Sequence, residues 1–373
     1  MSDAASLAAP VLWGGLALGA AFGAVAQRSN FCTMGALSDI VNMGHWGRAR
    51  MWLLAVAVGL AGAALLHHLG LVNLAQSIYR RSAVLPWLSL LVGGLVFGVG
   101  MTLAGGCANK NLLRVGGGSL RSLVVLLVMA VSAYMTLKGL FGQWRVGLLD
   151  PVSVDLRAVG FADPSLAALL ALATGVPAAT AGLAASLVLS VAILAFVLAD
   201  RRFRGNVLQL ASGVVLGLLV VGGWYVTGHL GFGENPETLE QVYFATNTRT
   251  LESMSFVAPT AFSLELLMLW TDKALHPSFG IMSLVGVVLG AGAVSLATGS
   301  FRWEGFASVE DLGRQIIGGL LMGFGGVTAL GCTVGQGMTG VSTLAIGSFI
   351  ALAGLVGGCV LTLRYLLWKA ERE

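Results

Sequence analysis

Three cysteines stand where apolar segments are interrupted by glycine or small polar residues. They are Cys32 in Ser29-Asn30-Phe31-Cys32-Thr33-Met34-Gly35, Cys107 in Gly105-Gly106-Cys107-Ala108-Asn109-Lys110-Asn111, and Cys332 in Gly331-Cys332-Thr333-Val334-Gly335-Gln336-Gly337. The fourth, Cys359, lies inside an apolar run and is expected to act as a small hydrophobe. No two form a C-x-x-C pair and no histidine stands at a zinc-ligand spacing, so neither a metal centre nor a redox dithiol is expected, and no cofactor. A thiol buried among apolar groups stays protonated; it is a soft, weak S–H donor with a polarizable sulfur. Such a group suits an anion with a terminal sulfur. Its contact is weak enough to release the ion, as conduction through several modest sites requires. The alternative for all three is plain packing.

Other polar residues gather at the same interruptions: Thr102, Asn109, Lys110, Asn111, Thr328, Thr333 and Gln336. Polar groups at membrane depth are functional suspects, and the candidate solute-binding set is Cys32, Cys107, Cys332, Lys110, Asn109 and Gln336. Lys110 either draws anions or sits at the lipid surface. The threonines are expected to bond back to their own helices. Asp39 is either a proton-coupling carboxylate or a helix cap. The sequence holds no P-loop, no nucleophile elbow and no paired carboxylates at helical spacing, so an enzyme is not expected.

The elements that must position these residues follow from composition. Of 373 residues, 57% are hydrophobic and 10% charged, against about 25% charged in a soluble domain. The apolar residues come in blocks of roughly 20, the length that crosses a hydrocarbon core. An all-α polytopic membrane protein is expected, with about nine spans near 11–27, 50–71, 84–105, 119–140, 178–199, 207–228, 278–298, 313–331 and 342–367. Four further pieces, 29–44, 105–117, 254–270 and 331–341, are too apolar for loops and too short or broken for spans. They read as re-entrant segments, which survive at membrane depth only when buried in protein or lining a cavity. Residues 150–176 read as an external connection with a short surface helix. Most of the 53 glycines are expected to serve close helix packing.

Phe97–Leu112 and Met322–Gly337 resemble each other. Aligned on their cysteines they share Gly98/Gly323, Gly100/Gly325, Ala104/Ala329, Gly106/Gly331 and Cys107/Cys332. A weaker echo aligns Asn30–Leu37 with Ser255–Phe262, where Cys32 becomes Val257. This divides the chain into a first repeat, 1–149, a connection with linking span five, 150–205, and a second repeat, 206–373. Equivalent spans lie five crossings apart, so the halves are expected to be inverted, a recurring transporter plan. The bias of Lys and Arg places 14 of the 21 on one side, which predicts an N-terminus outside and a C-terminus in the cytoplasm.

The segments 29–37, 105–112 and 331–337, taken in that order, resemble the YeeE/YedE family of sulfur-transport membrane proteins. The resemblance implies a bacterial inner-membrane permease for thiosulfate, shaped as an hourglass of inverted halves. By motif, Cys32, Cys107 and Cys332 are implied to pass the substrate along through S–H contacts. A small cytoplasmic sulfur carrier of the TusA type is an implied partner, beside the anion itself and membrane lipid; nucleic acid is not expected. Selenium or other sulfur species are alternative substrates, and a membrane thiol–disulfide oxidoreductase is an alternative of another class. The acidic stretch with Glu234, Glu237 and Glu240 has no evident place on an anion's path.

Overall fold

The computed structural model describes residues 2–160, 163–235, 239–306 and 308–372; Glu237 lies outside them. Among the described residues, fifteen α-helices carry the fold. They are α1 (Ser2–Ser29), α2 (Thr33–Met43), α3 (Gly47–His68), α4 (Trp87–Leu103), α5 (Ala108–Gly116), α6 (Leu120–Lys138), α7 (Leu140–Trp144), α8 (Leu166–Thr174), α9 (Ala178–Leu198), α10 (Arg201–Arg204), α11 (Val207–Tyr225), α12 (Val257–Met268), α13 (Phe279–Ala297), α14 (Val309–Thr328) and α15 (Ile346–Ala370). Among the described residues, eight helical stretches are long and apolar enough to cross a bilayer, and the chain is a multi-pass membrane protein. The ninth expected span, 313–331, is α14. It is 20 residues long, but Glu310, Asp311, Arg314 and Gln315 in its first turns lower its hydropathy.

Among the described residues, the strands form two short antiparallel pairs. β1 (Val84–Leu85) pairs antiparallel with β2 (Val154–Asp155), and β3 (Phe232–Glu234) with β4 (Gln241–Tyr243), Phe232 facing Tyr243. They share one end of the bundle, called here the hairpin face, because a bridge joins Ser77 to Leu251 between them. The connection 150–176 holds the short helix α8, as expected. It is clamped to the bundle by Leu166 N–H to Leu344 O (3.0 Å), Ile346 N–H to Pro164 O (2.9 Å) and the Arg80–Asp163 ion pair.

The helices pack in long seams: α1 on α13, α3 on α11, α4 on α15, α6 on α14, and α4 on α14. Glycine sets the separation of each seam. A Cβ on Gly19 or Gly23 of α1 would lie 2.1 Å from the Ser283 or Val287 carbonyl oxygen of α13. From the other side, a Cβ on Gly290 would lie 1.9 Å from Ala20 O. The α4–α15 seam repeats the device with Gly94, Gly98, Gly354 and Gly358. In lipid, where no hydrophobic force drives helices together, such small residues let backbones approach and gain dispersion contacts. Gly290→Ala must therefore separate two backbones. It should cost on the order of 1–3 kcal/mol as overpacking, read as a lower thermal midpoint in detergent. Gly313→Ala in α14 is the control. Its Cβ meets nothing and the residue is exposed, so it should leave the midpoint unchanged or raise it through helix propensity, worth up to about 1 kcal/mol.

Candidate functional site

All four expected re-entrant pieces are short helices that begin inside the protein: α2, α5, α12 and the segment 333–342, whose middle, Gly335–Gly340, is a π-helical turn. Three breaks share one backbone design. A helix ends, and a left-handed residue follows two positions before the cysteine: Asn30 (φ 53°), Gly105 (φ 65°) and Leu330 (φ 57°). The next N–H reaches back five residues, Phe31 to Ala26 O (2.9 Å), Gly106 to Met101 O (2.9 Å) and Gly331 to Gly326 O (2.8 Å). An inner bond runs from Asn30 to Gln27 O, Gly105 to Thr102 O and Leu330 to Val327 O. This pair of bonds is the Schellman motif, which satisfies helix-end carbonyls. The cysteine then opens the next helix, and its carbonyl accepts the first bond: from Ala36 at Cys32, Asn111 at Cys107 and Gln336 at Cys332.

The thiols therefore sit at helix N-termini, where free N–H groups and the dipole favour anions. Cys32 Sγ accepts from Gly35 N–H and Cys332 Sγ from Gly335 N–H, each at 3.3 Å. Cys107 holds the N-cap position without such a bond. The three are 5%, 1% and 0% exposed, and all are free thiols. The Cys32 thiol and the Thr333 hydroxyl, next to Cys332, both lie near the Cys107 thiol. The fourth break has no thiol. Phe256 and Val257 are fully buried there, and Phe256 stacks edge-on to Phe22, which also meets Phe31. Cys359 lies apart, in the α4–α15 seam, where it receives the Thr102 hydroxyl.

The polar neighbours divide into two kinds. Asn111 donates its amide to Gly106 O and Cys107 O, and Gln336, at the matching position four after Cys332, donates to Ala329 O. Both brace a break, and Gln336 keeps Oε1 without a partner. Thr102 and Thr328 bond back to their own helices at Gly98 O and Phe324 O, as expected. Asn109 is different. It is 1% exposed, yet neither its amide nitrogen nor its carbonyl oxygen has a hydrogen-bond partner. The hydroxyls of Thr33 and Thr333, each directly after a cysteine, are buried and unpartnered too. Leaving such groups buried and unpaired costs about 1–3 kcal/mol each, and their grouping beside three thiols marks the site.

Three cations surround Cys32. Lys110 bonds Asn30 Oδ1 at 3.3 Å. Arg114, four residues on along α5, and Arg48 lie within electrostatic reach of the same thiol. The Arg48 guanidinium rests against Gly35, where a Cβ would lie 2.4 Å from Nη1, and holds Asp39 in a two-point ion pair. Asp39 lies inside α2 and caps no helix, against the capping expectation, because the α2 N-cap is Cys32 and the α3 N-cap is Trp46. Arg114 was legible as the i+4 neighbour of Lys110 on one helical face; Arg48 was not, because the turn between α2 and α3 brings it back. Toward the hairpin face, a cavity of about 160 Å³ reaches Leu330 and Gly331, directly before Cys332. Its polar lining includes Tyr79, Arg145, Asn247, Glu252, Ser253 and Ser255.

Known proteins are similar to this chain over nearly its whole length. The chain is 28% identical over 347 residues to the thiosulfate transporter TsuA of Spirochaeta thermophila, covering 91% of this chain and 94% of the relative. It is 26% identical over 357 residues to the thiosulfate transporter TsuA of Escherichia coli K12, covering 92% and 91%. The profile of the sulphur transport family matches residues 28–361, which contain all three breaks and every cysteine; the chain belongs to that family.

Proposed function

We propose that this chain carries thiosulfate across the bacterial inner membrane, handing it along Cys332, Cys107 and Cys32 through transient S–H contacts. The single observation that carries the reading is the row of three buried thiols at helix N-termini, flanked by unpartnered Thr33, Asn109 and Thr333. Unsatisfied donors beside soft sulfur match an anion with one terminal sulfur and several oxygens. The relatives' printed substrate supports the same choice. The packing supports two inverted halves, because each seam has a counterpart: α1 with α13 answers α11 with α3, and α4 with α15 answers α14 with α6. In this reading the hairpin face is external, and Arg48, Lys110 and Arg114 face the cytoplasm. There they compensate the leaving anion and face a TusA-type carrier.

Uptake of labelled thiosulfate into cells lacking other importers tests this. Cys32→Ala, Cys107→Ala and Cys332→Ala should each lower uptake about tenfold or more, the loss of one hydrogen bond to a charged group being worth about 1.5–3 kcal/mol. Cys359→Ala should do little. Wild-type uptake in all three variants would remove the relay. Asn109→Leu makes a sharper case. It replaces an unpartnered buried amide, so it should preserve or raise the thermal midpoint while lowering uptake, the pattern of a residue kept for function at the expense of stability. A lowered midpoint with normal uptake would assign Asn109 to structure. Arg114→Gln should lower uptake severalfold with the thiols intact.

The facing of Cys32 and Cys107 favours one second reading, a thiol–disulfide exchanger. Thiol trapping during turnover separates them: a Cys32–Cys107 disulfide that forms and clears with substrate would replace the permease mechanism.

A further inference from the structure

The cavity before Cys332 holds a group that does not suit an anion's path. Glu252 lies in the external connection ahead of α12 and lines that chamber. Its Oε1 accepts one bond, from Asn247 N–H at 3.0 Å, and no salt bridge to it is found among the described residues. Its backbone is held in place, since Thr227 donates to Glu252 O, and the Asn247 N–H fixes the carboxyl itself. The facing groups are few. Tyr79 lines the same chamber, its phenol kept protonated chiefly by burial. Arg145 lines the same wall and is shared with Asp150 at 3.5 Å. Cys332 lies just beyond. His229 stacks on Tyr225, away from the chamber lining, and Arg249, three residues before Glu252, lines the adjoining pocket that shares Asn247 with the chamber.

An ionised carboxylate is acceptor-only, and so is a sulfur oxyanion. Placed together in a small chamber they repel and share no proton. The protonated acid is a donor and carries no charge. We propose, resting on the transport reading above, that Glu252 is the proton-binding group of the inlet: its carboxyl takes up a proton when the sulfur anion occupies the chamber and donates it as a hydrogen bond. Proton and anion occupancy then rise together. Burial already pushes the Glu252 carboxyl up to about 7, so the exchange falls within the working pH range. The bound anion's charge favours the acid form further.

The sign follows from linkage. If the occupied chamber holds more protons than the empty one, anion affinity rises as pH falls. Thiosulfate titrated calorimetrically into the purified wild-type protein near pH 7.5, in buffers of differing ionisation heat, should show net proton uptake, a substantial fraction of one proton per anion. Glu252→Gln, which supplies a permanent neutral donor, should bind with no proton uptake. Its transport should be flat between about pH 6 and pH 8, whereas wild-type uptake should fall severalfold over that range. Normal binding by the wild type without proton uptake overturns the proposal. So does a Glu252→Gln protein with the wild-type pH profile, or one that is folded but binds thiosulfate at no pH. If Glu252→Gln does not fold, the wild-type proton count and pH profile still decide. A wild type that binds no thiosulfate at any pH would overturn the substrate reading and this inference with it.

Discussion

The structure depends on one constraint: a backbone that leaves the helix inside a bilayer must find partners for its own polar groups. No water is available there, and each unsatisfied group costs several kcal/mol. At Cys32, Cys107 and Cys332 the chain answers in one way. The left-handed residue turns the strand, two reverse bonds close the ending helix, and the cysteine carbonyl starts the next. Asn111 and Gln336 take up carbonyls that remain. With the backbone's own demands met, the N–H groups at the new helix starts face the thiols. The same solution thus makes the break tolerable and creates the anion-favouring end.

That solution requires a tight frame. A re-entrant helix of nine to twelve residues has too few internal bonds to hold itself; its position comes from neighbours. The glycine seams supply them, drawing α1 against α13 and α4 against α15 until backbones touch. The breaks sit at the ends of seam helices α1, α4 and α14. A shift in a seam therefore moves a thiol. Interaction across the frame is carried by packing more than by charge, since charged residues form a minor part of the sequence and the ion pairs seal connections, as Arg80–Asp163 and Arg50–Asp200 do.

Much of this was legible in the residues. Apolar blocks gave the spans and interrupted blocks gave all four re-entrant segments, because glycine, polar residues and length record where a helix cannot continue. Span α14 was read from its apolar second half, although its first turns are polar. What could not be read is what depends on tertiary return of the chain. Arg48 reaches Cys32 only through the turn after α2, and the same turn gives Asp39 its ion-pair partner. Lys110 and Asn111 are adjacent yet do different work: one faces Asn30, the other folds back on its own break. A helical step of about 100° separates them, and sequence alone does not say which face meets which neighbour. Asn109 was suspected for its polarity, but its lack of any partner is a fact of three-dimensional crowding.

The placement of charge along the proposed path has its own logic. Cations stand at both ends, Arg145 toward the hairpin face and Arg48, Lys110 and Arg114 around Cys32, while the centre at Cys107 and Thr333 offers only neutral groups. A fixed cation at the centre would hold a dianion in a deep well, because opposite charges attract strongly where the dielectric is low. Neutral thiols, hydroxyls and an amide give contacts that form and break at modest cost, and helix ends spread the compensating charge over several N–H groups. At the fourth break the fully buried Phe256 and Val257 take the place of thiol and threonine. A protein with a polar partner at every break would offer the anion more holding points than passage needs. Three breaks thus present a thiol and the fourth an apolar pair, each placed by the helix it starts.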